Sequence, residues 1–185
     1  MKMIILDRDG VINEDTHYIK SPKEWIPIPG SLEAIAALNN AGYTVVVATN
    51  QSGIARGYFD EQALAAIHQT MTQALNAFGA KIDRLFYCPH GPDDGCNCRK
   101  PKPGLFQQIA QTYDISLKDA IAVGDSLRDI QAAQAVGATP ILVLTGKGST
   151  TLTQHPQLFS TISSFDNLWS FTKALLEVPC LIPSN

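Results

Sequence analysis

Met3-Ile4-Ile5-Leu6-Asp7-Arg8-Asp9-Gly10 runs four apolar residues straight into two carboxylates. A short apolar run of this kind suits a fully buried strand. Side chains alternate along a strand, so Asp7 and Asp9 share one face, and Arg8 falls on the opposite face with no catalytic part to play. Both acids then point into one small volume beyond the strand end. Like charges that close repel, so the pair needs a cation or a proton between them. A divalent metal and a phosphate ester meet that need: one acid attacks phosphorus and its neighbour handles the proton. Gly10 suits the tight turn that must follow.

Working outward, strand-like runs recur at 44–48, 84–87, 120–123 and 140–144, with a weaker one at 160–162. Helix-like stretches fall between them at 31–40, 60–78, 104–113 and 126–136, and a last one covers 165–177. Ser31 after Pro29-Gly30 reads as the cap of the first helix, which stops near Gly42; Asp60 reads as the cap of the second, which stops near Gly79. The strands are continuous and apolar rather than alternating, as expected when both faces are covered. The pattern predicts a three-layer, Rossmann-like α/β sandwich with a mostly parallel sheet and no large cap domain. Residues 1–185 form a single domain on this reading.

In such folds ligands bind beyond the carboxyl ends of the strands. That rule gathers the polar motifs: Asp7 and Asp9 after the first strand, Thr49-Asn50-Gln51-Ser52-Gly53 after the second, and Gly124-Asp125-Ser126 after the fourth. Asp129 lies one turn further on, and Arg99-Lys100-Pro101 precedes the third of these helices. Taken singly, Asp125 and Asp129 read equally as helix caps and Thr49 as a turn hydroxyl. Their convergence on one sheet edge is what points to a site.

The order Asp7-x-Asp9, Thr49, Lys100, Gly124-Asp125 resembles the haloacid dehalogenase superfamily of phosphotransferases, from Ile4 to about Thr145. The resemblance implies that Asp7 is the nucleophile, that Asp9 is the acid and base, and that Thr49 and Lys100 hold the transferring phosphoryl oxygens. It also implies Mg²⁺ held by the Asp7 carboxylate, the Asp9 carbonyl and Asp125.

Cys88-Pro89-His90 and Cys96-Asn97-Cys98 place four soft ligands around a short loop containing Gly91, Pro92 and Gly95. A disulfide is disfavoured where thiols stay reduced, and Cys-x-Cys is not the usual redox spacing. The set over 88–98 suits a closed, structural Zn²⁺ site of Cys88, His90, Cys96 and Cys98. Folding around such a metal would fix the start of the segment carrying Arg99 and Lys100. Within the superfamily, such a loop resembles that of small-metabolite phosphatases acting on a heptose bisphosphate or on histidinol phosphate. Thr49 to Gly57 resembles the former, and Ser52 replaces an acid that would suit a cationic amine. By that resemblance Asp15, Tyr18, Asn50 and Ser52 meet the sugar and Arg99 the retained phosphate. Ser126 stands where some relatives carry a basic residue, with Arg128 two positions on, which leaves the contacts to the anomeric phosphate open.

The remaining features are plainer. A net charge of -3 and a pI near 5.7 argue against a nucleic-acid or anionic-membrane partner. The first apolar run is too short for a signal peptide, and no run approaches a bilayer span, so a cytoplasmic enzyme is expected, acting as a monomer on a small sugar bisphosphate. Cys180 reads as a free thiol; His17, His68 and His155 lack partners at metal spacing, and His68 reads as helix surface. Leu32, Ile35, Ala36, Leu38 and Asn39, with Trp25 and Trp169, read as packing residues, and 145–153 as a solvated loop.

Overall fold

The computed structural model describes residues 1–177, so Cys180 lies outside the described residues. Among the described residues six strands form one sheet: β1 (Met3–Leu6), β2 (Thr44–Asn50), β3 (Arg84–Cys88), β4 (Ile121–Gly124), β5 (Thr139–Val143) and β6 (Ser163–Phe165). Their order is β3-β2-β1-β4-β5-β6, and every described pairing is parallel. Six α-helices alternate with them: α1 (Ser31–Asn40), α2 (Glu61–Ala77), α3 (Gly104–Tyr113), α4 (Leu127–Gln134), α5 (Gly148–Gln154) and α6 (Leu168–Glu177).

The period-2 alternation of the strands feeds two large cores, and a third, smaller cluster joins Leu142 of β5 to Ile130 and Ile162. Ile4, Leu6, Val45, Val47, Ile121 and Val123 pack with residues of α1, α2 and α6. Met3, Ile5, Val46, Ala48 and Ala122 pack on the other face with residues of α3 and α4. Burying an aliphatic side chain of this size contributes about 1.5–3 kcal/mol, so the two faces together fix the register of β1. From β1 the chain turns one way to β2 and β3 and later the other way to β4, β5 and β6. The point where strand order reverses is a crevice between β1 and its neighbours, and it opens at the strands' carboxyl ends.

Three local expectations need correction. Ser31 is the first residue of α1 rather than its cap; Gly30, at φ 85°, occupies the cap position and the Ser31 hydroxyl donates to the Ile12 carbonyl instead. The last strand begins at Ser163, after the expected 160–162. Residues 145–153 are not a loose loop: α5 begins at Gly148, and the turn before it packs into the crevice. Asp60 does cap α2, accepting a hydrogen bond from the Ala63 amide at 2.8 Å.

Candidate active site

Asp7 follows β1 directly, and its backbone continues the ladder by donating to the Val123 carbonyl at 2.9 Å. That places its carboxylate in a cavity of about 610 Å³ lined also by Asp9, Asp15, Tyr18, Thr49, Asn50, Ser52, Arg99, Lys100, Asp125 and Ser126. Every residue expected to act on the substrate or Mg²⁺ is therefore found on one cavity wall or another.

Lys100 is the electrostatic centre. It is 2 % exposed, and its ammonium lies 3.0 Å from Asp7 Oδ2, 2.5 Å from Asp129 Oδ1 and 2.7 Å from the Ala48 carbonyl. Asn50 fixes its backbone from both sides: the side-chain amide donates to the Lys100 carbonyl at 3.0 Å, and its oxygen accepts from the Lys100 N–H at 3.1 Å. Burial opposes charge on Lys100, but Asp129 and Asp7 outweigh it and raise its pKa.

The acids are too many for one lysine. Asp7, Asp125 and Asp129 bring carboxylate oxygens within 4.8 Å of one another. Burial pushes Asp7 up to about 6 despite Lys100. Asp125 is pushed up to about 8, by burial and then by Asp129 and Asp7 beside it. Asp129 differs: against burial, Lys100 and Ser126 hold it below the usual range. Three carboxylates this close, two of them pushed above the ordinary range, fit a hard divalent cation. Asp129 has a second employment: it closes a capping box on α4, accepting from the Ser126 hydroxyl at 2.5 Å and from the Ser126 N–H at 3.0 Å. Cap and site residue are here the same carboxylate.

Gly10 turns back over this cluster at φ 82°. A Cβ there would sit 2.1 Å from Asp125 Oδ2, so only glycine lets the loop close against the acid. The turn before α5 completes the enclosure. The Lys147 N–H donates to Asp125 Oδ2 at 2.8 Å, while its ammonium pairs with Asp15 at 2.6 Å. The Thr151 hydroxyl donates to the Asp125 carbonyl at 3.0 Å.

Asp9 lies in the same cavity but leans away from Lys100. It accepts from Asn13 Nδ2 at 2.9 Å, Gln51 Nε2 at 3.0 Å and Arg8, whose Nη2 approaches to 2.8 Å. Burial works against ionisation, yet Arg8, Asn13 and Gln51 hold Asp9 below the usual carboxylate range. Arg8 is therefore not a bystander. It starts on the far face as alternation requires, but a guanidinium only 1 % exposed must find partners, and its stem is long enough to reach Asp9. His68 is likewise not helix surface: its Nε2 lies 3.3 Å from Arg8 Nη1.

Thr49 Oγ1 accepts from Gln51 Nε2 at 3.0 Å. Tyr18 meets Tyr58 edge to face, with ring centroids 4.8 Å apart. Arg8, Asn13, Gln51, His68, Asp129 and Lys147 are thus site residues that the sequence motifs passed over or read otherwise. Gln51 and Asn13 lie close enough to the motifs to be inferred; nothing local marks His68.

Beside the cavity, the ligand atoms of Cys88, His90, Cys96 and Cys98 lie within 4.8 Å of one another. Sulfur pairs stand at 3.1 Å (Cys88 with Cys98) and 3.7 Å (Cys88 with Cys96), and His90 Nδ1 is 3.3 Å from Cys98. A tetrahedral metal with bonds of about 2.3 Å requires sulfur–sulfur edges of about 3.8 Å, which the Cys88–Cys96 pair meets and from which Cys88 and Cys98 would move apart. None of the three thiols is in a disulfide. Burial and the neighbouring Cys98 push the Cys88 thiol up to about 12. Arg99 leaves this loop and donates to the His90 carbonyl at 3.2 Å.

Comparison with known proteins agrees with this geometry. Residues 97–169 match the HAD-hydrolase-like family. The D-glycero-beta-D-manno-heptose-1,7-bisphosphate 7-phosphatase of Bordetella bronchiseptica is 59% identical over 155 residues, 83% of this chain and 87% of that protein. The enzyme of the same name from Pseudomonas aeruginosa is 53% identical over 95% of this chain and 98% of its own length. Among solved structures, D,D-heptose 1,7-bisphosphate phosphatase from B. bronchiseptica, complexed with magnesium and phosphate, superposes with a TM-score of 0.92 at 53% identity, covering 96% of this chain and 99% of that one. The corresponding phosphatase from Burkholderia thailandensis gives a TM-score of 0.75 at 44% identity over 96% of this chain and 100% of its own. The chain belongs to the haloacid dehalogenase-like hydrolases, within the family of D-glycero-beta-D-manno-heptose-1,7-bisphosphate 7-phosphatases.

Proposed function

We propose that this chain is a Mg²⁺-dependent phosphatase that removes the 7-phosphate of D-glycero-D-manno-heptose 1,7-bisphosphate, on the way to nucleotide-activated heptose for lipopolysaccharide. The observation that carries the reading is the cluster of Asp7, Asp125 and Asp129 against buried Lys100, in a chain 59% identical to an enzyme of that name. Asp7, the Asp9 carbonyl and Asp125 would hold Mg²⁺, which supplies positive charge to the transferring oxygens when bound.

Asp9 is ionised beside Arg8 until an anionic phosphate binds next to it and it takes up a proton from the substrate monoanion or solvent; the Asp7 carboxylate then attacks phosphorus, and the bond from phosphorus to the sugar oxygen breaks as Asp9 gives that oxygen this proton. Water then attacks the aspartyl-phosphate, gives a proton back to Asp9, and releases inorganic phosphate with Asp7 restored. Lys100 and Thr49 hold phosphoryl oxygens through a loose transition state whose charge lies mostly on them. Asn50 serves this step by fixing the Lys100 backbone. Asp15, Tyr18, Ser52 and Ser126 line the same cavity, which supports contacts from them to the sugar. Arg99 and Arg128 face the same mouth, and neither has an ion-pair partner among the described residues, which supports a second, retained phosphate there.

Zn²⁺ on Cys88, His90, Cys96 and Cys98 is structural in this account, because four protein ligands leave no open position. It anchors Arg99 and the start of the Lys100 segment. The reading takes the protein to act as a monomer in the cytoplasm, where the loop thiols stay reduced. No described helix is long and apolar enough to cross a membrane. The reading is tested by measuring phosphate release with Mg²⁺ from heptose 1,7-bisphosphate, heptose 7-phosphate and histidinol phosphate. The bisphosphate should be hydrolysed fastest; preference for histidinol phosphate would reassign the substrate.

A further inference from the structure

Arg8 is a fully buried cation beside the active site, and the proposed chemistry gives it no direct task. Its Nε and Nη2 donate to Asp9 Oδ1 at 3.0 and 2.8 Å, and Nη2 reaches Asp9 Oδ2 at 3.0 Å and Gln51 Oε1 at 3.3 Å. The remaining nitrogen, Nη1, ends 3.3 Å from His68 Nε2. A guanidinium only donates, so Nε2 accepts and the ring carries its hydrogen on Nδ1. His68 sits in α2, half-buried, with its ring edge-on to Tyr87 at 6.3 Å between centroids. The buried residues of that helix are Leu64, Ile67, Met71 and Leu75, so His68 is its polar link to the site.

The two Asp9 oxygens are not equivalent. Oδ1 takes three hydrogen bonds, from Arg8 Nε, Arg8 Nη2 and Asn13, whereas Oδ2 takes two. One of those two comes from Gln51 Nε2, which also donates to Thr49 Oγ1. Oδ2 is therefore the freer oxygen, and Gln51 ties it to Thr49, the proposed phosphoryl ligand. We propose that His68 is a positioning residue for Asp9, acting through Arg8. By anchoring Nη1 it fixes the plane of the guanidinium, and that plane keeps Oδ2 turned toward the departing oxygen. The inference rests on the phosphatase reading, in which Asp9 protonates the leaving group.

The discriminating property is leaving-group dependence. A sugar alkoxide needs a proton to depart, whereas an activated aryl oxide does not. The test is rapid-quench measurement of aspartyl-phosphate formation from heptose 1,7-bisphosphate and from p-nitrophenyl phosphate. His68→Phe and His68→Leu remove the acceptor by different shapes, so either one that folds suffices. Misplacing a general acid should slow formation from the sugar phosphate by about tenfold and leave the aryl phosphate within about twofold. His68→Gln, which restores an acceptor, should recover most of the loss. Equal losses on both substrates, or none on either, would overturn the positioning role. Failure of the unaltered protein to form phosphoenzyme from either substrate would instead sink the phosphatase reading beneath it.

Discussion

Replacing Lys100 with Met removes the one cation buried among Asp7 and Asp129 while keeping the stem's volume. Its ammonium lies 3.0 Å from one carboxylate and 2.5 Å from the other. At an effective dielectric near 20, each contact is worth about 5–7 kcal/mol of attraction, largely offset by the cost of desolvating the charges. Deleting one partner of a buried pair leaves the others uncompensated, and such deletions cost about 3–5 kcal/mol. Asp7 is already held up at about 6, so near neutral pH the stranded acids escape part of this penalty by taking up protons. The loss should therefore be about 3 kcal/mol at pH 7 and larger at pH 9. The sign follows because these acids would then have folded pKa values above their unfolded ones, a deficit that grows as pH rises. For a chain of this size about 3 kcal/mol corresponds to a fall in Tm of about 6–12 °C. Thermal melts of the metal-free protein at pH 6, 7, 8 and 9 make the measurement. Mg²⁺ should restore part of the lost Tm, because a dication neutralises the same acids. A melting point within about 2 °C of the parent at pH 9, or a deficit that shrinks as pH rises, would refute the reasoning.

Other outcomes follow from the same geometry. Stripping the Cys88–Cys98 loop with a zinc-selective chelator should lower Mg²⁺-dependent turnover at least about tenfold by releasing the Arg99 and Lys100 segment, as phosphate-release assays would report. Asp9→Asn should cut turnover by about a hundredfold or more while leaving Mg²⁺ affinity, read by calorimetry, nearly intact, because the backbone carbonyl is the proposed ligand there. His68 is held down from 6.5 to about 4, by burial and then by Arg8. The unfolded chain takes that proton below about 6.5 and the folded one does not until about 4, so stability should fall with pH across this window by up to about 3 kcal/mol. His68→Gln should flatten that part of the denaturation midpoint's pH profile relative to the parent.

The buried strand ending on Asp7 and Asp9 made the fold legible, because one apolar run repeated at intervals admits few sheet topologies. That Asp7, Thr49, Lys100 and Asp125 would share one cavity was legible for the same reason: each ends or adjoins a strand, and the carboxyl edge brings them together. That Cys88, His90, Cys96 and Cys98 would gather was readable from their spacing. Arg8 was misread because alternation fixes where a side chain starts and says nothing of where a long one ends. His68 was misread because its partner stands sixty positions away, and no local pattern encodes a contact across two layers. Asp129 posed a false choice, since one carboxylate both caps α4 and neutralises Lys100. The 145–153 stretch has the composition of a loop, but a turn that must satisfy Asp125 from above is small and polar for that purpose.

The covalent step is the centre of the account, and it can be observed directly. The protein is mixed with Mg²⁺ and heptose 1,7-bisphosphate, quenched in acid within one turnover, digested, and mapped by mass spectrometry. A phosphoryl group should appear on the peptide containing Asp7, and it should vanish in Asp7→Asn along with phosphate release. Full-rate phosphate release from Asp7→Asn, or a phosphoryl group carried on a different residue, would contradict it.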